Sequence, residues 1–267
     1  MKLATYQDGS RDGQLVVVSD DLTQAHHASS IATRLQQVLD DWTFLAPQLH
    51  DLARTLQSGK ARHAFPFDPR LCMAPLPRAY RLVDGQAPDT VPPLGADLSG
   101  DALEGPHRAI PAQGADTAVA VRAVLALGDL PCGAADGQAR DAVRLVLLAH
   151  HWRQRLDGVL RASSLAFAPV AVTPDALGLA WQRGRLSLSL RSTVDGQAES
   201  PIDLCATDLA ASVAELARAR AVRSGTLLAL PGPGWRALGS AQQVETDAWD
   251  EQGQSVFGAL VQARRED

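Results

Sequence analysis

Lysine is nearly missing from the 267 residues, occurring only at Lys2 and Lys60. Any chemistry that needs a lysine nucleophile or base beyond residue 60 is excluded. Cysteine is scarce as well. Cys72, Cys132 and Cys205 are widely spaced, odd in number and without a C-x-x-C pair, so they suggest no disulfide framework. They read as small buried or half-buried thiols. No apolar run approaches the roughly 20 residues that span a bilayer, so a membrane role is not expected. The N-terminal stretch "MKLATYQDGSRDG" has no signal-peptide apolar core, which gives the expectation of a cytoplasmic protein. Net charge is −5, and arginine is scattered rather than clustered with aromatics, which argues against nucleic-acid binding. There is no G-x-S-x-G elbow, and "LPGPGW" lacks the lysine and spacing of a phosphate loop.

What remains is an ordinary globular composition, 46% hydrophobic and 21% charged, with length enough for a large core. "MKLATY" and "GQLVVVSDD" alternate around a polar DGSRDG turn and predict a β-hairpin. Helices are expected over about 28–39, with Ile31, Leu35, Val38 and Leu39 on one face, and over about 47–59, with Gly59 as C-terminal cap. The proline-punctuated "HAFPFDPRLCMAPLPRAY" reads as linker or edge. Residues 81–115 are rich in Pro, Gly and Asp and are expected to be loop. Ala135–Arg140 predicts a short helix, while Val143–Ala149 fits either a buried strand or part of a longer helix. "FAPVAVTPDAL" predicts a strand and then a turn, with Thr173 as N-cap and Pro174 at the first helical position. "GRLSLSLRSTVDGQ" alternates, with Leu186, Leu188 and Leu190 on one face. "TDLAASVAELARARAV" is the strongest helix. "GTLLALPGPGW" runs from strand to tight loop, and the last segment predicts a hairpin turning at Gly253. The sum is a β-rich α+β protein.

One residue fits poorly. "DTAVAVRAVLALGDLPCG" reads as a buried strand closed by a Gly-Asp turn, yet Arg122 stands in its centre. The adjacent pairs His26-His27 and His150-His151 are weak metal motifs, because neighbouring residues point in different directions on a helix or a strand. Trp235, after the double glycine, reads as a loop anchor or a pocket wall.

Several segments together resemble the fumarylacetoacetate hydrolase family, particularly its longer bacterial members. They are "MKLATYQDGSRDGQLVVVS", "IATRLQQVLDDW", "GKARHAFPFDPRLCMAPLPRAY", "FAPVAVTPDALGLAW" and "DEQGQSVFGALVQ". The resemblance implies a mixed β-sandwich roll after a small N-terminal α/β domain, with boundaries expected at 1–75 and 76–267. It implies cleavage or decarboxylation of β-diketo and 2-oxo acids at a Mg²⁺ or Ca²⁺ site, in which a carboxylate-bound ion polarises keto-acid oxygens and a His-carboxylate pair activates water. It also implies a homodimer.

Each implied element has a place in this sequence, and each place is altered. The Glu-x-Glu pair falls on Ala120 and Arg122. The aspartate ligand falls on His150 or His151. The lysine neighbourhood is "LRASSLAF", without lysine. The Gly-Ser-Gly-Thr loop is "ALPGPG". The segment for the catalytic histidine is 81–115, which offers only His107. Two expectations follow. One is a member that has lost metal-dependent hydrolysis, uses no cofactor and serves as a binder of a small organic acid or as a partner subunit. In it Arg122 lies near the metal position, toward Asp116, Asp129 or Glu104, or else snorkels to solvent. The other is an active Mg²⁺ or Mn²⁺ enzyme with a rearranged site, using Glu104, Asp116 and Asp129 as ligands and His107 or His151 as base.

Overall fold

The computed structural model describes every residue except 86–93, 102, 111–115, 183, 207 and 265–267. The N-terminal alternation forms β1 (Lys2–Tyr6) and β2 (Gln14–Val18), antiparallel, with Lys2 opposite Val18. β3 (Gln24–His27) pairs with β2. The helix expected from residue 28 begins later, as α1 (Leu35–Asp40). Its expected first turns are held to β2 by the backbone: Ala28 N–H donates to the Leu15 carbonyl and Leu15 N–H donates to the Thr33 carbonyl. α2 (Trp42–Gln57) starts five residues before the expected Pro47, and its end is closed by Gly59 at φ +69°. There Lys60 N–H reaches the Thr55 carbonyl, a cap that needs a left-handed residue. β4 (Phe65–Pro66) edges the sheet beside β3.

The segment 81–115 departs from the expected loop. It contains β5 (Arg81–Gly85), β6 (Leu94–Leu98) and β7 (Leu103–Glu104); residues 86–93, 102 and 111–115 lie outside the described residues. Tertiary pairing overrides the loop-like composition, because Leu82 and Val83 are completely buried against a neighbouring strand. β8 (Asp116–Leu127) is the predicted buried strand, and α3 (Asp136–Asp141) is the short helix. The ambiguous stretch resolves as a long strand, β9 (Val143–Leu156), followed by β10 (Val159–Phe167) and β11 (Val170–Val172). A 3-10 turn at Pro174–Ala180 follows, but Thr173 makes no side-chain cap; its hydroxyl meets the Met1 amino group instead.

The remaining strands are β12 (Trp181–Gln182), β13 (Arg185–Val194), β14 (Gln197–Ala198) and β15 (Ile202–Ala206). After α4 (Leu209–Leu216) come β16 (Thr226–Ala229), β17 (Arg236–Ala237), β18 (Gln243–Trp249) and β19 (Leu260–Ala263). One sheet runs β4-β3-β2-β1-β11-β9-β8-β16-β5-β6, with β10 and β7 joined through β9 and β17 on β8. The second sheet runs β12-β13-β18-β19, with β14 and β15 on β13. One apolar core lies between the large sheet and α1 and α2, through Leu3, Leu49 and Leu147. Another lies between the two sheets and α4, through Leu125, Leu188, Val213 and Phe257. Alternation along β8 and β9 therefore sends successive residues into different cores.

Candidate functional site

β8 and β9 pair antiparallel, with Ala120 opposite His151, Arg122 opposite Ala149 and Ala118 opposite Arg153. Opposed residues share a face, so Ala118, Ala120, Arg122, Ala149, His151 and Arg153 line one side. β16 lies along the other edge of β8, with Ala229 opposite Val124, and β5 is parallel to β16, with Asp84 beside Ala229. Asp84 thus joins the Arg122 face from two strands away. Past β16 the Pro-Gly-Pro-Gly turn brings Trp235 back over this face. A Cβ on Gly232 would stand 2.5 Å from the Val121 carbonyl oxygen and 3.3 Å from Arg122 Cδ, so glycine is what permits the close approach.

Arg122 is 8% exposed, which rules out the snorkelling alternative. Its charge faces Asp84, not the acidic residues expected from sequence. Glu104 pairs with Arg108 at 2.9 Å, Asp129 lies 3.9 Å from Arg223, and Asp116 is exposed opposite Arg155. The reason is placement: Asp116 and Asp129 flank the two ends of a 12-residue strand. At about 3.3 Å per residue, the strand between them alone spans roughly 36 Å. His107 shares a cavity of about 380 Å³ with Glu104 and Arg108, away from this face.

The ring of Trp235 organises the cationic groups. The Arg153 guanidinium carbon lies 3.8 Å from its centroid, that of Arg122 lies 5.5 Å away, and the His151 ring meets it edge-on at 4.9 Å. Arg153 also reaches Asp84 at 3.6 Å. Burial pushes the Arg122 and Arg153 pKa values down and the Asp84 carboxyl up. His151 is pushed down to about 3, by burial first and then by Arg122 and Arg153. It is therefore a neutral imidazole at pH 7, with Nε2 2.7 Å from Ser163 Oγ.

His150 points the other way. It is fully buried, with Nδ1 2.8 Å from Gln262 Oε1 and Nε2 2.9 Å from Thr246 Oγ1. Trp152 donates to the same Gln262 oxygen at 2.9 Å, and Thr246 meets Ser192 at 2.9 Å. Thr246, Gln262 and Ser192 belong to the second sheet, so this network ties the two sheets together. The adjacent histidines thus serve separate places, as strand alternation requires.

Residues 1–78 match the family described as fumarylacetoacetase N-terminal domain 2. Over the whole chain the fold is similar to three solved structures. Maleylpyruvate hydrolase from Sphingobium sp. SYK-6, in complex with manganese(II) and pyruvate, is 14% identical with TM-score 0.72 and full coverage of both chains. Fumarylacetoacetate hydrolase from Exiguobacterium antarcticum is 16% identical with TM-score 0.69, again with full coverage of both. The 2-hydroxyhepta-2,4-diene-1,7-dioate isomerase of Mycobacterium marinum is 14% identical with TM-score 0.63 and the same coverage. The chain thus carries a fumarylacetoacetase-type N-terminal domain over residues 1–78 and shares its overall fold with these structures. No curated protein matches it in sequence.

One of these similar structures holds manganese(II), which raises the question whether the donor set of this chain fits a divalent ion. It does not fit. Ala120 has no donor atom, and Arg122 and Arg153 carry only N–H donors and positive charge. Among the described residues no group of three or more His, Cys, Asp or Glu is placed to hold a metal. Asp84 is the carboxylate beside the two guanidinium groups, while Asp116, on the same strand face, lies exposed at its end. Sequence reasoning missed Asp84, because its segment reads as loop, and did not single out Arg153 or Ser163. The period-2 relation of His151 to Arg153 was the available signal for Arg153.

Proposed function

We propose that this fumarylacetoacetate hydrolase-family protein has lost metal-dependent C–C bond hydrolysis and acts as a metal-free binding or partner protein. The observation that carries the reading is the buried Arg122 and the half-buried Arg153 beside Ala120 on the face where the family resemblance implies carboxylate ligands. A divalent cation at that face would meet two positive charges, and repulsion at such distances inside a protein costs several kcal/mol. The lack of any lysine beyond Lys60 supports the same reading. Its assembly as a homodimer rests on the fold analogy alone.

The experiment is a thermal unfolding scan with and without millimolar Mg²⁺ or Mn²⁺. A ligand that binds the folded state raises the midpoint in proportion to the logarithm of its concentration over Kd. The expected result is no metal-dependent rise. A clear rise with either ion means that a carboxylate site exists, and would be followed by assays on acylpyruvates and oxaloacetate.

A further inference from the structure

Three buried polar atoms on this face lack a hydrogen-bond partner among the described residues: Asp84 Oδ1, Arg122 Nε and His151 Nδ1. Their residues are 7%, 8% and 0% exposed, and they come from three strands whose register places them on one face. A buried polar group without a partner is costly, so such atoms are rare. Three on one strand face, two of them beside the Trp235 ring and the third beside Arg153, are not explained by packing.

We infer that this face is a metal-free site for a small 2-hydroxycarboxylate, with the carboxylate held by Arg122 and Arg153 and the hydroxyl donating to Asp84. The inference rests on the reading that no metal occupies this face. The chemistry follows from the inventory of groups. Two guanidinium groups supply N–H donors in a geometry suited to a carboxylate. Asp84 Oδ1 is an acceptor and needs a donor from the ligand, which a carboxylate alone lacks and an adjacent hydroxyl provides. With Arg122 and Arg153 on one side and Asp84 on the other, the cluster has a single positive excess, which suits a monoanion better than a dianion. Trp235 offers an apolar surface for the ligand's carbon skeleton, and the residues on this face beside Arg122 and Arg153 are the small Ala118, Ala120 and Ala149. Because His151 is neutral at pH 7, it does not compete with the arginines for the anion, and its Nδ1 is a further hydrogen-bonding group.

The probes are racemic lactate and propionate, which differ by the hydroxyl. Each is titrated into the full chain at constant ionic strength, with EDTA present, following tryptophan fluorescence. Lactate is expected to bind at least about tenfold more tightly than propionate, since a site built to bind a hydroxyl penalises its loss. Arg153→Gln, at a half-buried position, is expected to weaken lactate at least about tenfold, because a hydrogen bond to a charged group is lost. Trp235→Phe should remove the fluorescence change while the protein stays folded. Equal affinity for the two acids overturns the role given to Asp84 and with it the inference. No binding of lactate with or without Mn²⁺ overturns the inference but not the metal-free reading. Binding of lactate that requires Mn²⁺ overturns both.

Discussion

Replacing Arg122 with glutamate is expected to destabilise the protein by about 3–5 kcal/mol, the usual cost of breaking a buried charge pair from one side. Arg122 is buried, its charge faces Asp84, and Asp84 is itself 7% exposed. The substitution removes the cation and puts a second carboxylate on the same face. Arg153 remains, 3.6 Å from Asp84, but it cannot balance two buried carboxylates. Burial already holds the Asp84 carboxyl above its ordinary pKa, and a glutamate neighbour would push it further up. Denaturant unfolding measures the effect as a shift in midpoint at constant m-value. An unchanged midpoint would mean that the Arg122 charge is not balanced at this face. Arg122→Met is a useful companion, since replacing a buried charge by an apolar side chain of similar length separates loss of charge from loss of volume.

Stability is expected to fall steeply as pH drops from about 6.5 toward 4. His150 is pushed down to about 4 by burial, against a raising contribution from its Gln262 hydrogen bond, and His151 is pushed down to about 3. An unfolded histidine titrates near 6.5. Between those values the unfolded chain binds protons that the folded chain refuses, so stability rises with pH, by about 1.4 kcal/mol per pH unit for each group. The contribution is fully present above about 6.5 and is lost as pH falls toward the folded values. His27 and His50, also lowered by burial, act in the same direction. Asp84 and Asp247, raised by burial, act against it, since the folded state takes up their protons first. The share of His150 is isolated by comparing slopes. His150→Asn should flatten the dependence between pH 4 and 6.5 by about 1.4 kcal/mol per unit. Equal slopes in the two proteins would mean that His150 is not held neutral by its burial between the sheets.

Much of the frame was legible from alternation and turn chemistry. The first hairpin, the Leu186, Leu188 and Leu190 strand, α4 and β8 all follow from local pattern, and the two histidines point apart as strand geometry demands. The failures have a common cause. β5 reads as loop because Asp, Gly and Pro crowd its neighbourhood, yet it is buried by pairing with β16, a partner far away in sequence. Residues 28–33 have helical periodicity, but their backbone is bonded to β2. Asp84 was lost with β5, and so the sequence offered Arg122 the wrong partners. The buried arginine was legible as an anomaly; the carboxylate facing it was not, because that relation exists only across three strands.

The most direct measurement is equilibrium binding of Mn²⁺ to the purified full chain, followed by the paramagnetic resonance of the free aqueous ion. The account predicts that the free signal equals the total at every protein concentration, because on the proposed reading Arg122 replaces a carboxylate ligand and Arg153 adds a second positive charge beside it. A loss of free signal matching one ion per chain, reversed by EDTA, would contradict it.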